Sequence, residues 1–332
     1  MEFTSTAFSM EENVTSNFSS NLGFIRNHTG LSGTALIIYT IIRIETMLSV
    51  ICLIISVIIY AILPEFKNLH GKNLMSSSIC LLIALSLRLV DFILRHRIPS
   101  TLCTIVAVII HINYLAFFFW TNVMAYDIWK SITGMKQKKE VFRHSRKYQN
   151  YSLYVWSATF LTVLPAPILE MTNWVPTYYK PQFGIRRCWL NGVAAYNYYF
   201  NLPVGVILAG NMCLFLLTLK ALIAIRKVTS VLQTKQHQKR LNLYLKLLLV
   251  MGITWLSLFP AWVTGNYHLY AYASMLTASH GVLLFFIFLF KKKILMQIWT
   301  ACKHGKLPVK KTSTSVPTTS TSSNRTDGKF ST

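Results

Sequence analysis

The chain has 332 residues, of which 53% are hydrophobic and only 13% are charged, a composition that does not fit a soluble globular protein. Its 33 basic and 10 acidic residues give a formal net charge of +23, which in a soluble protein would indicate nucleic-acid binding. Here the apolar residues form long runs with the charges between them, as in a membrane protein. A soluble domain, a nuclease and a nucleic-acid reader are therefore excluded.

Seven predominantly apolar runs follow one another along the chain. Each is long enough to cross a hydrocarbon core about 30 Å thick, which requires about 20 helical residues. Because backbone groups in lipid have no water to bond, each run must be a helix. The sequence therefore predicts an all-α membrane protein with a seven-helix transmembrane bundle over residues 36–290. The runs cover residues 36–63, 73–94, 99–128, 151–172, 196–225, 241–263 and 267–290.

Basic residues are distributed unequally between the two sides of this bundle. With the N-terminus outside, the cytoplasmic segments hold 23 of the 33 Lys and Arg residues, and the opposite side holds 6. Positively charged connections stay in the cytoplasm. The bias therefore predicts an extracellular N-terminus and a cytoplasmic C-terminus. The four cytoplasmic segments are residues 64–72, 129–150, 226–240 and 291–332.

The N-terminal tail, residues 1–35, carries three N-glycosylation sequons, at Asn13, Asn17 and Asn27. Their clustering in a short polar tail indicates that the tail enters the secretory lumen, in agreement with the charge bias. Two more sequons, at Asn150 and Asn324, fall on the predicted cytoplasmic side and are expected to stay unmodified. The tail has no apolar stretch typical of a cleavable signal peptide, so the first run is expected to direct its own insertion.

Two of the six cysteines are placed to form a disulfide. Cys103 lies just inside the outer end of the third run, and Cys188 lies in the outer connection 173–195. Both are on the oxidising side of the membrane, and no other pair is. The sequence predicts that this bond holds the long outer connection over the mouth of the bundle. Three other cysteines lie within runs and are expected to be small buried residues, namely Cys52, Cys80 and Cys213.

The C-terminal part divides into two segments. Residues 291–305 have apolar residues at helical spacing beside Lys291, Lys292 and Lys293, which predicts an amphipathic helix on the cytoplasmic membrane surface. Cys302 in this helix is a candidate palmitoylation site, with a free thiol as the alternative. Residues 306–332 are rich in Ser and Thr and are predicted to be a disordered cytoplasmic tail.

Ionisable residues within the runs are costly and therefore indicate candidate functional positions. Arg88 and Asp91 are three apart on the second run, so they share a helix face and can neutralise each other. Arg88 belongs to the outer third of its helix, where it either faces an outer pocket or forms a purely structural pair. Ligand contact is predicted near the outer mouth at Arg88, Glu170, Trp174 and Trp189.

The predicted coupling surface lies at the cytoplasmic end. Asp127 closes the third run beside Lys130, an arrangement that favours a lock or a coupling position. The alternative for the individual basic residues is that they set the topology and bind anionic membrane lipids. The residues predicted to contact a cytoplasmic partner are Asp127, Lys130, Lys136, Lys138, Lys139, Arg143, Lys235, Lys239, Arg240 and Lys246.

The runs carry no pattern of an enzyme. His111 and His280 are single histidines on different runs without HxxxH or HExxH spacing, which indicates hydrogen-bonded packing rather than a metal site. No nucleotide-binding loop or nucleophile elbow is present, so neither a cofactor nor a catalytic residue is predicted. A transporter would be expected to show two related halves, which these seven unequal runs do not.

Seven spans, an outer tail with sequons, a third-span cysteine with a loop partner and basic inner loops resemble a G-protein-coupled receptor. The string FFFWTNVMAYDIW at 117–129 resembles the FFW-x-N-VM-x-x-DIW pattern of Methuselah-like receptors, an insect branch related to the secretin and adhesion receptors of class B. LKLLLVMGITW at 245–255 is similar to their K-x-x-x-x-MG-x-TW segment. Shorter matches are Ser86-Leu87-Arg88, Cys188-Trp189-Leu190, Asn211 and Gly281.

The chain departs from this pattern at two points. Ser78 and Met124 stand where secretin-class receptors carry the His and Glu of a polar lock, so the lock is absent as a pair. No cysteine precedes Cys52, whereas these receptors usually carry a cysteine-rich ectodomain. Either the chain is a truncated product or it senses its ligand through the bundle alone.

The resemblance implies a multi-pass plasma-membrane receptor without enzymatic activity. An extracellular ligand, a peptide or a small molecule, would favour one packing of the bundle, and a heterotrimeric G protein would respond to the change. Two alternatives remain at this point: a non-signalling binding or scaffold protein descended from a receptor, and a multispan transporter.

Overall fold

The computed structural model of the chain describes residues 30–63, 66–94, 98–133, 144–172, 174–185, 188–226 and 267–289, with single positions at 257, 260 and 296. All regular elements in these ranges are helical, which confirms the predicted all-α class for this part of the chain. The elements are α1 (Gly30–Ile62), α2 (Leu69–Leu94), α3 (Ser100–Thr133), α4 (His144–Val163), α5 (Pro165–Met171), a 3₁₀ turn (Thr177–Tyr179), α6 (Val193–Tyr196), a π-helical turn (Asn197–Asn201), α7 (Leu202–Arg226), α8 (Tyr267–Ala278) and α9 (His280–Leu289).

Within the described ranges, five helical stretches are long and apolar enough to cross a membrane: Thr40–Ile62, Leu69–Leu94, Ser100–Thr133, Arg146–Met171 and Ala194–Ala221. They correspond to the first five apolar runs of the sequence. Helices α8 and α9 together cover the seventh run. α1 begins at Gly30, so residues 30–35, which the sequence assigns to the tail, are helical.

Several predicted features lie outside the described residues. Of the sixth run, only Ser257 and Pro260 are described, and of the predicted surface helix only Met296, which is helical. The disordered tail 306–332 and the sequons at Asn13, Asn17 and Asn27 are outside the described ranges. So are Cys302 and these predicted coupling residues: Lys136, Lys138, Lys139, Arg143, Lys235, Lys239, Arg240 and Lys246.

Proline separates α4 from α5 without ending the helical path. The Leu164 N–H donates to the Phe160 carbonyl at 2.8 Å, and the Ile168 N–H donates to the Leu164 carbonyl at 3.4 Å. Pro165 stands in the first turn of α5, where its missing N–H removes no hydrogen bond that the turn needs. The fourth run is therefore crossed by two helices in succession.

Helix α3 is the centre of the described bundle. It packs against α2, α4 and α7, whereas α1 packs against α2, α8 and α9. Most of the circumference of α3 is consequently buried, including Leu115, Phe117, Phe118 and Trp120. α4 exposes a broad apolar face that a bilayer would cover, including Leu153, Phe160 and Leu161. We therefore expect the side chains that connect the two ends of the bundle to lie on α3.

α9 approaches α1 closely at Gly281. A Cβ atom at this position would stand 2.7 Å from the Ser49 carbonyl oxygen and 2.9 Å from the Ser49 Cβ. The Ser49 hydroxyl donates a hydrogen bond to the carbonyl of Ala278 one turn away. Small residues allow helices to approach this closely in membranes. The close approach of α9 to α1 therefore explains sterically why a glycine stands at position 281.

Candidate functional site

One end of the bundle is closed by a cap, defined here as residues 174–185 and 188–192. Cys103, in the first turn of α3, and Cys188 of the cap form a disulfide with a Cα–Cα distance of 4.6 Å. The predicted pairing is confirmed. We refer to this end as the disulfide end. Backbone bonds order the rest of the cap: the Asn191 N–H donates to the Pro181 carbonyl at 3.0 Å, and the Gly184 N–H donates to the Trp189 carbonyl at 3.5 Å.

Two charged residues near the C-terminal end of α2, Arg88 and Asp91, both reach the cap. The Asp91 carboxylate, 5% exposed, accepts a hydrogen bond from the Cys188 N–H at 3.1 Å. The Arg88 guanidinium lies 5.6 Å from the centre of the Trp189 ring, a cation–π distance. Asp91 therefore positions the cystine backbone, and Arg88 positions the next residue. Arg88 and Trp189, two of the four predicted ligand contacts, are brought together.

Trp189 points into the bundle and is only 8% exposed. Its ring makes edge contacts with His111 and Tyr114 of α3, at centroid distances of 5.9 and 5.7 Å, and with Phe200 of the π-helical turn, at 5.4 Å. Aromatic pairs favour this T-shaped geometry. We call the set Arg88, His111, Tyr114 and Phe200 the Trp189 cage.

The other two predicted ligand contacts occupy different positions. The Glu170 carboxylate accepts the Gln182 N–H at 2.7 Å, where Gln182 has a positive φ of 50°. This bond fixes an otherwise unfavourable backbone conformation. Trp174 is 80% exposed and takes no part in the cage. Three of the four residues thus hold or line the cap, and the fourth stands on the surface.

A close group of potential metal ligands at this end is explained by the disulfide. Asp91, Cys103 and Cys188 bring one ligand atom each within 4.8 Å of one another. The two sulfur atoms are bonded to each other, and metal binding by cysteine requires the thiolate. Among the residues that the structure describes, this group is therefore structural.

A polar network joins three helices in the interior of the bundle. The Asn122 amide on α3 donates to the Asn211 side-chain oxygen on α7 at 2.9 Å, and Asn211 donates to the Thr121 hydroxyl at 3.2 Å. The Tyr154 hydroxyl on α4 donates to Asn122 at 3.1 Å. Sequence reasoning used Asn122 and Asn211 only as parts of motifs. Their polar side chains within apolar runs were the available signal.

Replacing Asn211 by leucine is expected to destabilise the bundle by about 1–2 kcal/mol, because Thr121 and Asn122 each lose a buried partner. Thr218→Val is the matched control on the same helix, since the Thr218 hydroxyl donates to the Leu214 carbonyl one turn earlier and to no other helix among the described residues. Thermal unfolding of the purified protein in detergent measures both. Equal melting temperatures for the two variants would contradict an interhelical role for Asn211.

The opposite end of α3 carries a second polar cluster. The Tyr151 hydroxyl on α4 donates to the Asp127 carboxylate at 3.0 Å. The Lys130 ammonium lies 5.6 Å from the centre of the Tyr126 ring, which in turn stands 6.4 Å from that of Tyr151. Asp127 and Lys130 are thus brought into one cluster. Since Asp127 follows Cys103 by 24 residues, the cluster lies about 36 Å along α3 from the disulfide.

The sequence comparisons identify the class to which this arrangement belongs. The family model of the seven-transmembrane receptors of the secretin family matches residues 35–284. The chain therefore belongs to this family. Seven spans stay a prediction for this chain, of which five are described. Ser78 and Met124, at the positions of the missing lock, are both buried.

The particular branch follows from individual relatives. The chain is 27% identical over 278 residues to G-protein coupled receptor Mth2 of Drosophila yakuba. This alignment covers 77% of the chain and 50% of the relative. The chain is 25% identical over 285 residues to probable G-protein coupled receptor Mth-like 10 and 24% identical over 262 residues to G-protein coupled receptor Mth, both of Drosophila melanogaster. These alignments cover 77% and 74% of the chain. They cover 48% and 49% of the relatives, so the chain spans about half the length of each. The resemblance to Methuselah-like receptors is confirmed, and these relatives are named as receptors, not enzymes.

Proposed function

We propose that this chain is a plasma-membrane receptor that transmits the binding of an extracellular ligand to a cytoplasmic heterotrimeric G protein. The observation that carries the proposal is the arrangement of α3. One end of this helix is bonded to the cap through Cys103, and the other carries Asp127 bonded to Tyr151 of α4. A buried helix with a partner at each end, and with Asn122 bonded between them, can couple two distant surfaces.

The orientation in this proposal places the disulfide end outside. It is supported by the bias of 23 basic residues against 6 and by the oxidising environment that a disulfide requires. Seven spans with an extracellular glycosylated tail, a cytoplasmic surface helix at 291–305 and the tail 306–332 complete the topology. Cys302 would carry a palmitoyl group on the cytoplasmic face.

Glycosylation tests this orientation directly. In cells that glycosylate secreted proteins, treatment with peptide-N-glycosidase is expected to increase the gel mobility of the chain, because the sequons at Asn13, Asn17 and Asn27 enter the lumen. Replacing all three by glutamine should abolish the shift. Asn150→Gln combined with Asn324→Gln is the matched control and should leave it intact. A mobility shift that depends on Asn150 or Asn324 would show that the orientation is the opposite of the one proposed.

The ligand is proposed to act at the disulfide end, on Arg88, Trp189, Glu170 and Trp174. Arg88 and Trp189 form one contact between α2 and the cap, and Glu170 holds the cap backbone through Gln182. Trp174, on the exposed surface, is accessible to a ligand as it arrives. A ligand that moves the cap would thereby change the position of α2 relative to α3.

The G protein is proposed to bind at the end that carries Asp127 and Lys130. The other proposed contacts are basic residues of the inner connections and of the sixth run: Lys136, Lys138, Lys139, Arg143, Lys235, Lys239, Arg240 and Lys246. Basic residues beside an anionic leaflet also attract its lipids, so binding of membrane lipids belongs to the same proposal.

A cell-surface signalling assay with a panel of chimeric G proteins tests the function. Basal or ligand-stimulated signalling is expected with at least one chimera. Asp127→Ala should reduce this signal at equal surface expression, because the Tyr151 hydroxyl then loses its acceptor. Lys67→Ala, an exposed position in the connection before α2, is the control and should leave it unchanged. Absence of coupling to every chimera would overturn the proposal.

A further inference from the structure

The Trp189 cage has the form of a ligand site that is already filled. Its walls come from α2, α3 and the π-helical turn before α7, and the ring that fills it comes from the cap. The cap aromatics differ sharply in exposure. Trp174 is 80% exposed and Tyr178 is 59% exposed, whereas Trp189 is 8% exposed. Trp189, like Phe183 of the cap, which is 5% exposed, is therefore buried, and its ring lies among the aromatic side chains of the cage.

His111 gives this pocket a polar group that Trp189 leaves unused. The side chain is fully buried, and its Nε2 lies 2.9 Å from the Tyr199 carbonyl oxygen. A carbonyl only accepts, so Nε2 carries the proton and Nδ1 is an acceptor. No donor reaches Nδ1 within the part of the chain that the structure describes. A buried acceptor without a partner is costly, and a native protein keeps one where something else supplies the donor.

Hydrophobic packing alone does not explain this combination. An apolar residue in place of His111 would favour a purely structural cage, since His111 Nδ1 is desolvated and no donor among the described residues reaches it. The cage instead offers a guanidinium beside the ring that it holds, aromatic edges around that ring and one acceptor, His111 Nδ1, to which no described residue donates. This set matches an aromatic group that carries its own N–H or O–H donor.

We propose that the Trp189 cage binds an aromatic ring with a hydrogen-bond donor, such as the indole or phenol of a peptide side chain, and that such a ligand displaces Trp189. The inference rests on the proposed receptor function and names the ligand class for it. The ligand ring takes the place of the Trp189 indole beside Arg88, and its donor bonds His111 Nδ1. Because Trp189 directly follows Cys188 in the chain, its displacement also moves the cap.

Binding of indole to the purified full chain in lipid nanodiscs, with the disulfide intact, tests the proposal. Indole is expected to raise the melting temperature of the wild type saturably. Its analogue 1-methylindole, which lacks the donor, should require about tenfold more ligand for the same effect. Trp189→Ala should respond at lower indole concentrations than the wild type, because the tethered ring no longer competes. Trp156→Ala, which removes an indole from the surface of α4, is the matched control and should behave as the wild type.

His111→Phe is expected to abolish the difference between indole and 1-methylindole while retaining binding of both. If Trp189→Ala does not fold, Trp189→Phe replaces it, with the same expected order of affinities. No saturable effect of indole on the wild type, or equal affinity for the two probes, would overturn the proposal. Because the measurement needs no G protein, a chain that binds indole without signalling would refute the proposed function alone, and the reverse result would refute only the ligand class.

Discussion

Gly281→Ala is expected to lower the stability of the bundle by about 1–3 kcal/mol, although alanine is the better helix former. The added Cβ would meet the carbonyl oxygen of Ser49 at 2.7 Å, and a backbone atom cannot rotate away as a side chain can. α9 would have to move from α1, and the hydrogen bond from Ser49 to the Ala278 carbonyl would stretch. Thermal unfolding in detergent measures the loss, and Gly281→Val should increase it.

The matched control for this substitution is Gly210→Ala on α7. A Cβ at Gly210 would lie 3.7 Å from the Asn122 amide nitrogen, an ordinary contact distance. Alanine there relieves the entropic cost of glycine without a clash, so this variant should be as stable as the wild type or slightly more stable. Equal effects at the two positions would mean that helix propensity, rather than the approach of α9 to α1, determines the result.

Loss of the disulfide is the second large effect that we expect. Cys103→Ala with Cys188→Ala removes a covalent link between positions 85 residues apart, a change typically worth about 2–4 kcal/mol. The cap would then be held by the Asp91 bond to Cys188, the Glu170 bond to Gln182 and the packing of Trp189. The paired variant should show reduced surface expression and a lower melting temperature.

Cys213 was expected from the sequence to be buried, but its thiol on α7 is exposed. Cys213→Ala therefore controls for the loss of a cysteine and should be neutral. If the disulfide and Trp189 stabilise the cap cooperatively, Trp189→Ala should lower the melting temperature less in the disulfide variant than in the wild type. Strict additivity of the two changes would show that the cystine and Trp189 stabilise the cap independently.

The helices and the disulfide could be predicted from the sequence because their signals are local or compositional. An apolar run of 20 residues has a single structural solution in lipid, so the five described membrane helices follow from hydropathy. The pairing of Cys103 with Cys188 follows from the side of the membrane to which the sequence assigns each of them. Asp127 and Lys130 are three residues apart on one helix, so their common cluster could also be predicted from the sequence.

The surroundings of the site residues could not be predicted, because they depend on which helix faces contact each other. His111 looked like a packing residue, and its neighbours Trp189 and Phe200 lie 78 and 89 positions further along the chain. Glu170 looked like a ligand contact, yet its partner is the backbone N–H of Gln182. Gln182 has a positive φ, and no sequence pattern indicates that conformation. Ionisable residues in a membrane helix mark where polar interactions occur but do not identify the partner.

The cystine also imposes an order on biosynthesis. Ribosomes add roughly 5–20 residues per second, so about 4 to 17 s pass between the synthesis of position 103 and that of position 188. During this interval α2 and α3 can associate, but Cys103 is a free thiol and the Asp91 carboxylate lacks the Cys188 N–H. The disulfide end therefore cannot be completed before position 188 is synthesised, and it depends on oxidation as well as on insertion.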